Sequence, residues 1–214
     1  MNHARIALIV IVAVLGWTTE TRAEDGAFAL KGGERIVFFG DSITQSGGYL
    51  ADIEVFLLTR FPERRWVLLN RGISSETISG TSEPDHSPRR PFAHDRFRRD
   101  VAGWKPDIVV SCFGMNDGNY FPFEPERFLK YQQGIRRLVE RVRSETNAQL
   151  VILTPPPFDP YRRSASDPNA TQFGYKFPAI DYDDTLERYS GWLRDQASAG
   201  WFVVDAHSAV NDLL

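Results

Sequence analysis

Three short polar segments of the sequence carry residue types suited to acyl transfer. They are Gly40-Asp41-Ser42-Ile43-Thr44, Asn70-Arg71-Gly72 and Gly114-Met115-Asn116-Asp117. A serine on a sharp turn from strand to helix can present its hydroxyl as a nucleophile, with its own backbone N–H beside it. A glycine lets a second backbone N–H approach a substrate oxygen, and an asparagine amide can donate a third hydrogen bond. Each segment alone is equally compatible with an ordinary turn or helix cap.

A serine nucleophile also needs a base, which is usually a histidine oriented by a carboxylate. The nearest such pattern is Asp205-Ala206-His207, at the end of the last apolar run of the chain. His207 is therefore one candidate base, with Asp205 or another carboxylate orienting it. His86 lies in a polar segment and His94 at a predicted helix start, where a surface or capping role is the ordinary outcome.

Short apolar runs alternate along the chain with segments of helical period. The runs predict five strands, at residues 35–39, 66–70, 108–113, 150–153 and 201–204. The clearest helix follows Pro125, with an apolar stripe at Phe128, Tyr131, Ile135, Leu138 and Val142. Continuous apolar strands joined by helices predict a parallel sheet covered on both faces, which is a three-layer α/β/α sandwich. All three polar segments would then follow strands, at the edge of the sheet where ligands bind.

Taken in order, the three segments resemble the SGNH hydrolase family, also called GDSL-like lipases and esterases. The resemblance extends from Arg35 to about Asp205 and implies a flavodoxin-like sandwich with a five-stranded parallel sheet. It implies that Ser42 is the nucleophile of a serine esterase. It also implies an oxyanion hole built from the backbone N–H groups of Ser42 and Gly72 and the side-chain amide of Asn116.

The family usually supplies its base and carboxylate from an Asp-x-x-His motif near the C-terminus, before a last helix. This sequence has no such motif after Ser42 and ends at Leu214. One expectation is therefore that the chain lacks the segment with this motif and the helix that would cover the sheet after strand five. The other is that His207 serves as the base despite the shorter spacing.

The first residues are typical of a targeting segment rather than of a fold. Residues 6–17 are apolar, a run shorter than the roughly 20 residues that span a bilayer, and Thr21 and Ala23 place small residues before a cleavage point. We expect residues 1–23 to be a signal peptide and residues 24–214 to be one esterase-type domain. The mature protein would be secreted or periplasmic, with no stable membrane insertion.

The charge balance and the motifs of the chain indicate which partners and cofactors to expect. With 25 Lys+Arg against 28 Asp+Glu, the formal net charge of −3 gives no reason to expect a nucleic-acid partner. No motif with metal-ligand spacing is present, and ester hydrolysis of this kind needs neither metal nor other cofactor. The single cysteine, Cys112, lies in an apolar run and is interpreted as a buried structural thiol.

An O-acylated carbohydrate is the expected substrate, since aromatic rings in loops can stack on sugars. The residues concerned are Tyr120, Phe121, Phe123, Tyr161 and Tyr175. The same rings would equally pack the loops onto the body of the domain. The main alternative function is a catalytically impaired or non-catalytic carbohydrate-binding module. A dinucleotide- or phosphate-binding domain is disfavoured, because residues 40–44 match neither the Gly-x-Gly-x-x-Gly nor the Lys-Ser/Thr pattern.

Overall fold

The protein is built on five parallel strands with helices between them, and the polar segments lie at the strand ends. The structure is a computed structural model that describes residues 30–84, 86–159 and 181–213. The strands are β1 (Arg35–Gly40), β2 (Val67–Gly72), β3 (Ile108–Cys112), β4 (Gln149–Leu153) and β5 (Phe202–Val204). The α-helices are α1 (Ser42–Ser46), α2 (Gly48–Arg60), α3 (Ala93–Asp100), α4 (Pro125–Glu145), α5 (Tyr182–Gln196) and α6 (Ala206–Asn211). Short 3-10 turns follow α3 and α5.

The strand order is β2-β1-β3-β4-β5, and every neighbouring pair is parallel. This is the flavodoxin-like order, in which ligands bind where the chain switches direction between β1 and β3. Gly40 at the end of β1 pairs with Gly72 of β2 on one side and with Cys112 of β3 on the other. The predicted fold class is confirmed, and the ends of these three strands lie side by side.

Each face of the sheet has its own apolar core. Side chains of α2, including Ile53 and Leu57, pack on the face that carries Ile36 and Phe38. Helices α3, α4 and α5 cover the opposite face, on which Phe39 packs. Alternate residues of β1 thus point to different helical layers, because successive strand side chains face opposite sides of a sheet.

Several sequence predictions need correction. A helix does follow strand five, because Asp205 caps the first turn of α6 by accepting the N–H of Ser208 at 3.1 Å. Strand β2 runs two residues further than predicted, through Gly72. The Ser, Pro, Asp and Arg content of residues 79–92 predicts a surface loop, but Glu83 and Arg90 within it are buried.

Other expectations concern residues outside the described ranges. They are the signal peptide, Tyr161 and Tyr175, and most of the long loop that the aromatic and polar residues from 158 to about 178 predict. Within the described ranges, none of the helices is both long enough and apolar enough to cross a membrane.

Cys112 is buried at the end of β3, with 4% of its surface exposed. Burial, followed by the negative charge of Asp41, raises the pKa of its thiol well above the usual range. The interpretation of Cys112 as a buried structural thiol is confirmed.

Candidate functional site

Ser42 is the first residue of α1, directly above the end of β1. Asp41 precedes it in an extended conformation, and its Oδ1 accepts the N–H of Ile43 at 2.9 Å. This cap starts the helix at Ser42, so the half-buried serine lies on a sharp strand-to-helix turn with its own N–H in the first turn. The arrangement is the one that the sequence predicts for a nucleophile.

Two glycines let α1 approach the edge of the sheet. A Cβ atom on Gly40 would lie 2.6 Å from the carbonyl oxygen of Cys112. One on Gly72 would lie 2.6 Å from the Cα of Gln45 in α1. Both distances are shorter than Cβ atoms tolerate, so these positions need glycine for close packing.

The backbone N–H of Gly72, predicted to face a substrate oxygen, has a partner in the structure. It donates to Oδ1 of Asn70 at 2.9 Å, while Nδ2 of Asn70 donates to the carbonyl of Thr44 at 2.7 Å. Asn70 therefore ties the end of β2 to α1. The N–H of Gly72 would meet a ligand only by releasing Asn70.

Ser75 was not predicted from the sequence as a site residue, but its backbone N–H is another candidate donor to a substrate oxygen. It has φ of 63° in a turn that the N–H of Glu76 closes onto the carbonyl of Ile73 at 3.4 Å. Within the described part of the chain, its own N–H has no hydrogen-bond acceptor. Nη1 of Arg90 binds both the carbonyl of Ser75 and the side chain of Asn116, so the turn lies beside Asn116.

Asn116 follows β3 and is buried, with 3% of its surface exposed. Its Oδ1 accepts hydrogen bonds from Nη1 of Arg90 at 3.3 Å and from the hydroxyl of Tyr120 at 3.1 Å. Its Nδ2 donates to the carbonyl of Glu76 at 3.0 Å. A primary amide has two N–H groups, so the second remains for a ligand.

Two buried ion pairs support this edge of the sheet. Arg90 binds Glu83 through two bonds of 2.7 Å. Arg96 binds Glu76 through both carboxylate oxygens, and its Nη2 also donates to the carbonyl of Gly40 at 3.4 Å. Removing one partner of such a pair leaves an uncompensated buried charge, so both pairs constrain the segments around Ser42 and Asn116.

Two buried carboxyl groups also lie near the serine. Burial raises the pKa of Asp41 to about 7, and the charges of Asp117 and Glu76 add to the rise. Burial likewise raises the pKa of Asp117 to about 6, although the N–H of Ser79 donates to its Oδ1 at 2.8 Å. Neither carboxyl is paired with a base in the described part of the chain.

The structure places none of the three described histidines in hydrogen-bond contact with Ser42. His86 and His94 were expected at the surface or in caps, but both are buried, with 7% and 4% of their surface exposed. Nε2 of His94 lies 3.0 Å from the carbonyl of Gly134, and burial lowers the pKa of this ring to about 4. Both rings fill the interior because backbone carbonyls are available to them.

His207 lies in α6 with 1% of its surface exposed. Its Nδ1 is 3.2 Å from the carbonyl of Pro155, and its Nε2 is 3.3 Å from Glu187 and 3.7 Å from Asp183. Asp205 does not orient this ring. Instead, Asp205 caps α6 and pairs with Arg194 at 3.2 Å. The carboxylates beside His207 therefore come from α5.

Within the described ranges, no group of three or more His, Cys, Asp or Glu side chains could hold a metal ion. The groups around Ser42 that could contact a substrate oxygen are the Asn116 amide and backbone N–H groups. Such groups bind a developing oxyanion.

Relatives among known proteins include an acetylxylan esterase from Geobacillus stearothermophilus, 28% identical over 144 residues. That match covers 58% of this chain and 60% of the esterase, so the chain spans about 60% of the length of this curated relative. A solved structure of a catalytic mutant of Axe2, an acetylxylan esterase from the same organism, is 22% identical with a TM-score of 0.62. It covers 86% of this chain and 81% of that one.

The solved structure of a gut microbial diltiazem-metabolizing enzyme has a TM-score of 0.63 at 22% identity, over 84% of this chain and 38% of that one. These structural likenesses show the fold. The family model described as GDSL-like Lipase/Acylhydrolase matches residues 38–213. This match covers the serine turn, both neighbouring strand ends and Asn116, and confirms the resemblance found in the sequence. The chain belongs to the GDSL-like lipase/acylhydrolase family.

Proposed function

We propose that this chain is a serine esterase that hydrolyses carboxylic esters through an acyl-enzyme on Ser42. Oγ of Ser42 forms a bond to the ester carbonyl carbon, the alcohol leaves with a proton, and water then releases the acid and restores the hydroxyl. The observation that carries this proposal is the pairing of Gly40 with Cys112, which brings the turn at Ser42 and the segment at Asn116 to one edge.

The oxyanion of the tetrahedral intermediate would be held by the backbone N–H of Ser42 and the second N–H of the Asn116 amide. A third donor is the N–H of Ser75, or that of Gly72 if it releases Asn70. Removing one donor of this kind typically costs about 3 kcal/mol of transition-state stabilisation. Replacing Asn116 should therefore slow the reaction by roughly 10²-fold.

The proposal also requires a base that accepts the proton of Ser42. Three Axe2 structures are described as catalytic mutants, and they replace a serine, an aspartate and a histidine. In this chain the candidate base that the sequence offers is His207. The contacts of His207 with Pro155 and Glu187 support a packing role for its ring instead.

A non-catalytic carbohydrate-binding module is the second candidate function. The observation in its favour is that, in the described part of the chain, no base contacts the hydroxyl of Ser42. Without a base, a serine nucleophile loses most of its rate enhancement, although an oxyanion hole alone can keep the reaction roughly 10³-fold faster than in water.

We propose that the substrate is an O-acylated carbohydrate, because one relative is an acetylxylan esterase. We also propose that the protein is exported, because residues 6–17 form an apolar run typical of a signal peptide. The aromatic residues give less support than the sequence suggested. Tyr120 packs against Tyr182 and Phe158, and Phe123 packs against Phe128, so these rings hold loops on the body of the domain.

A fluorophosphonate probe tests the catalytic proposal, because it reacts quickly only with an activated serine. We expect intact-mass and peptide analysis to find one adduct, on Ser42, and Ser42→Ala to abolish it. Asn116→Ala should slow labelling roughly 10²-fold, since it removes an oxyanion donor. Absence of labelling, together with retained binding to acetylated xylo-oligosaccharides in both wild type and Ser42→Ala, would favour the module.

A further inference from the structure

The orientation of the Asn116 side chain is determined by three neighbours. Two of them, Arg90 and Tyr120, donate to Oδ1, and the third, the carbonyl of Glu76, accepts from Nδ2. Rotating the amide by half a turn would place its NH₂ group against the guanidinium of Arg90 and its oxygen against a carbonyl oxygen. Both contacts would be repulsive, so the hydrogen-bond network assigns one orientation.

Arg90 is held firmly enough to impose this orientation. Its side chain is 1% exposed and that of Glu83 is 0% exposed, and their paired 2.7 Å bonds fix the plane of the guanidinium. Nη1 is thereby directed at the carbonyl of Ser75 and at Oδ1 of Asn116, both at 3.3 Å. Nδ2 of Asn119 donates to Glu83 at 3.3 Å and completes the environment of the carboxylate.

Tyr120 alone would not fix the orientation of the Asn116 amide. A phenolic hydroxyl can donate or accept, so it would tolerate either end of the amide. A guanidinium has donors only and rejects the NH₂ end. The selective contact is therefore the one from Arg90.

We infer that Arg90 is a positioning residue for the oxyanion-binding amide: by donating to Oδ1 of Asn116, it turns the free N–H of that amide toward the substrate. This inference rests on the proposed function. It also links the loop at residues 79–92 to the chemistry, because Glu83 and Arg90 both belong to that loop. Arg90 acts through Asn116 and does not itself touch the reacting atoms.

The test compares variants that keep or remove the hydrogen-bond donor of Arg90 to Oδ1 of Asn116. Arg90→Met alone would strand the charge of Glu83 and could unfold the protein, so the principal variant is the double replacement Glu83→Met with Arg90→Met. Replacing both partners of a buried ion pair with apolar residues of similar volume is often neutral for stability. Arg90→Lys keeps the positive charge but lacks the planar set of N–H donors of a guanidinium. The matched control is Arg89→Met, since Arg89 is the exposed neighbour.

The first readout does not depend on activity. In ¹⁵N-labelled protein, the two side-chain N–H signals of Asn116 should shift in the double variant, and their exchange with solvent should accelerate by about 10-fold or more. Arg89→Met should leave them unchanged. Unchanged Asn116 signals in a folded double variant would overturn the inference, whether or not Ser42 is reactive.

The second readout is the rate of Ser42 labelling and the turnover of p-nitrophenyl acetate. We expect the double variant and Arg90→Lys to lose about 10-fold in labelling rate and in kcat, with KM nearly unchanged, because a misdirected donor acts on the transition state. Wild-type rates in the folded double variant would show that the donor of Arg90 is not needed and would overturn the positioning role. If wild type itself is not labelled, the proposed function fails, while the Asn116 signals still decide the inference.

Discussion

The buried carboxyl of Asp41 should make the protein less stable as the pH rises toward neutrality. Its folded-state pKa of about 7 lies above the ordinary value of 3.8, mainly because burial disfavours the charged form. Between these two values the folded state retains a proton that the unfolded state releases. The free energy of unfolding must therefore fall as the pH rises from about 4 to about 7.

The magnitude follows from the size of the shift. From 3.8 to about 7 is a difference of about 3 pKa units, and each unit corresponds to about 1.4 kcal/mol. Ionisation of Asp41 should thus cost about 4 kcal/mol of stability once the pH exceeds 7. That is a large part of the roughly 5–15 kcal/mol that typically stabilises a folded domain.

Asp41→Asn is the informative substitution. The amide has nearly the same shape, its oxygen can still accept the N–H of Ile43, and asparagine is a good helix N-cap, but it does not ionise. Its buried NH₂ group adds a constant penalty at every pH. The advantage of the variant over wild type should therefore grow by about 4 kcal/mol between pH 4 and pH 8.

Urea unfolding followed by circular dichroism at several pH values measures this difference. Asp41→Ala should lose the same pH dependence and about 1 kcal/mol more at every pH, because the helix cap is gone. Asp195→Asn, at an exposed position, should reproduce the wild-type profile. A stability difference between wild type and Asp41→Asn that is the same at pH 4 and pH 8 would refute the argument.

Two further substitutions test the packing of the site. Gly72→Ala should cost about 3 kcal/mol of stability, since the new methyl group would overlap α1 at Gln45. Gly191→Ala, inside α5, should instead stabilise by about 0.5–1 kcal/mol in thermal unfolding, because its Cβ would make only an ordinary contact, 3.5 Å from Nη2 of Arg194. His207→Ala should lower the free energy of unfolding by about 2 kcal/mol through loss of a buried ring, while labelling of Ser42 stays unchanged. Lost labelling with unchanged stability would identify His207 as the base.

The central strands β1 and β3 were predictable because they are buried on both faces and so form continuous apolar runs. The turns that follow them were predictable because their residue types are restricted by local geometry. Asp41 must cap a helix and Gly40 must admit the backbone of β3, and both requirements are visible in a few consecutive residues. The placement of Ser42 and Asn116 followed from these local rules and the strand order.

The supporting residues were not predictable in the same way. Glu83 and Arg90 look like ordinary solvent-exposed charges in a polar loop, and they are buried only because each satisfies the other. His207 was singled out for its distance in sequence from Asp205, whereas its actual neighbours, Pro155 and Glu187, come from other elements. Helix α6 is six residues long, too short for an apolar period to be recognised.

The burial of Cys112 gives the protein an internal reporter of opening. It is the single cysteine of the chain, and its thiol ends the strand that leads to Asn116, beside the last residue of β1. A thiol reagent can reach it only when this edge of the sheet separates from its neighbours. The reaction rate of Cys112 with such a reagent would therefore measure how often the strand ends around Ser42 come apart under native conditions, without any substrate.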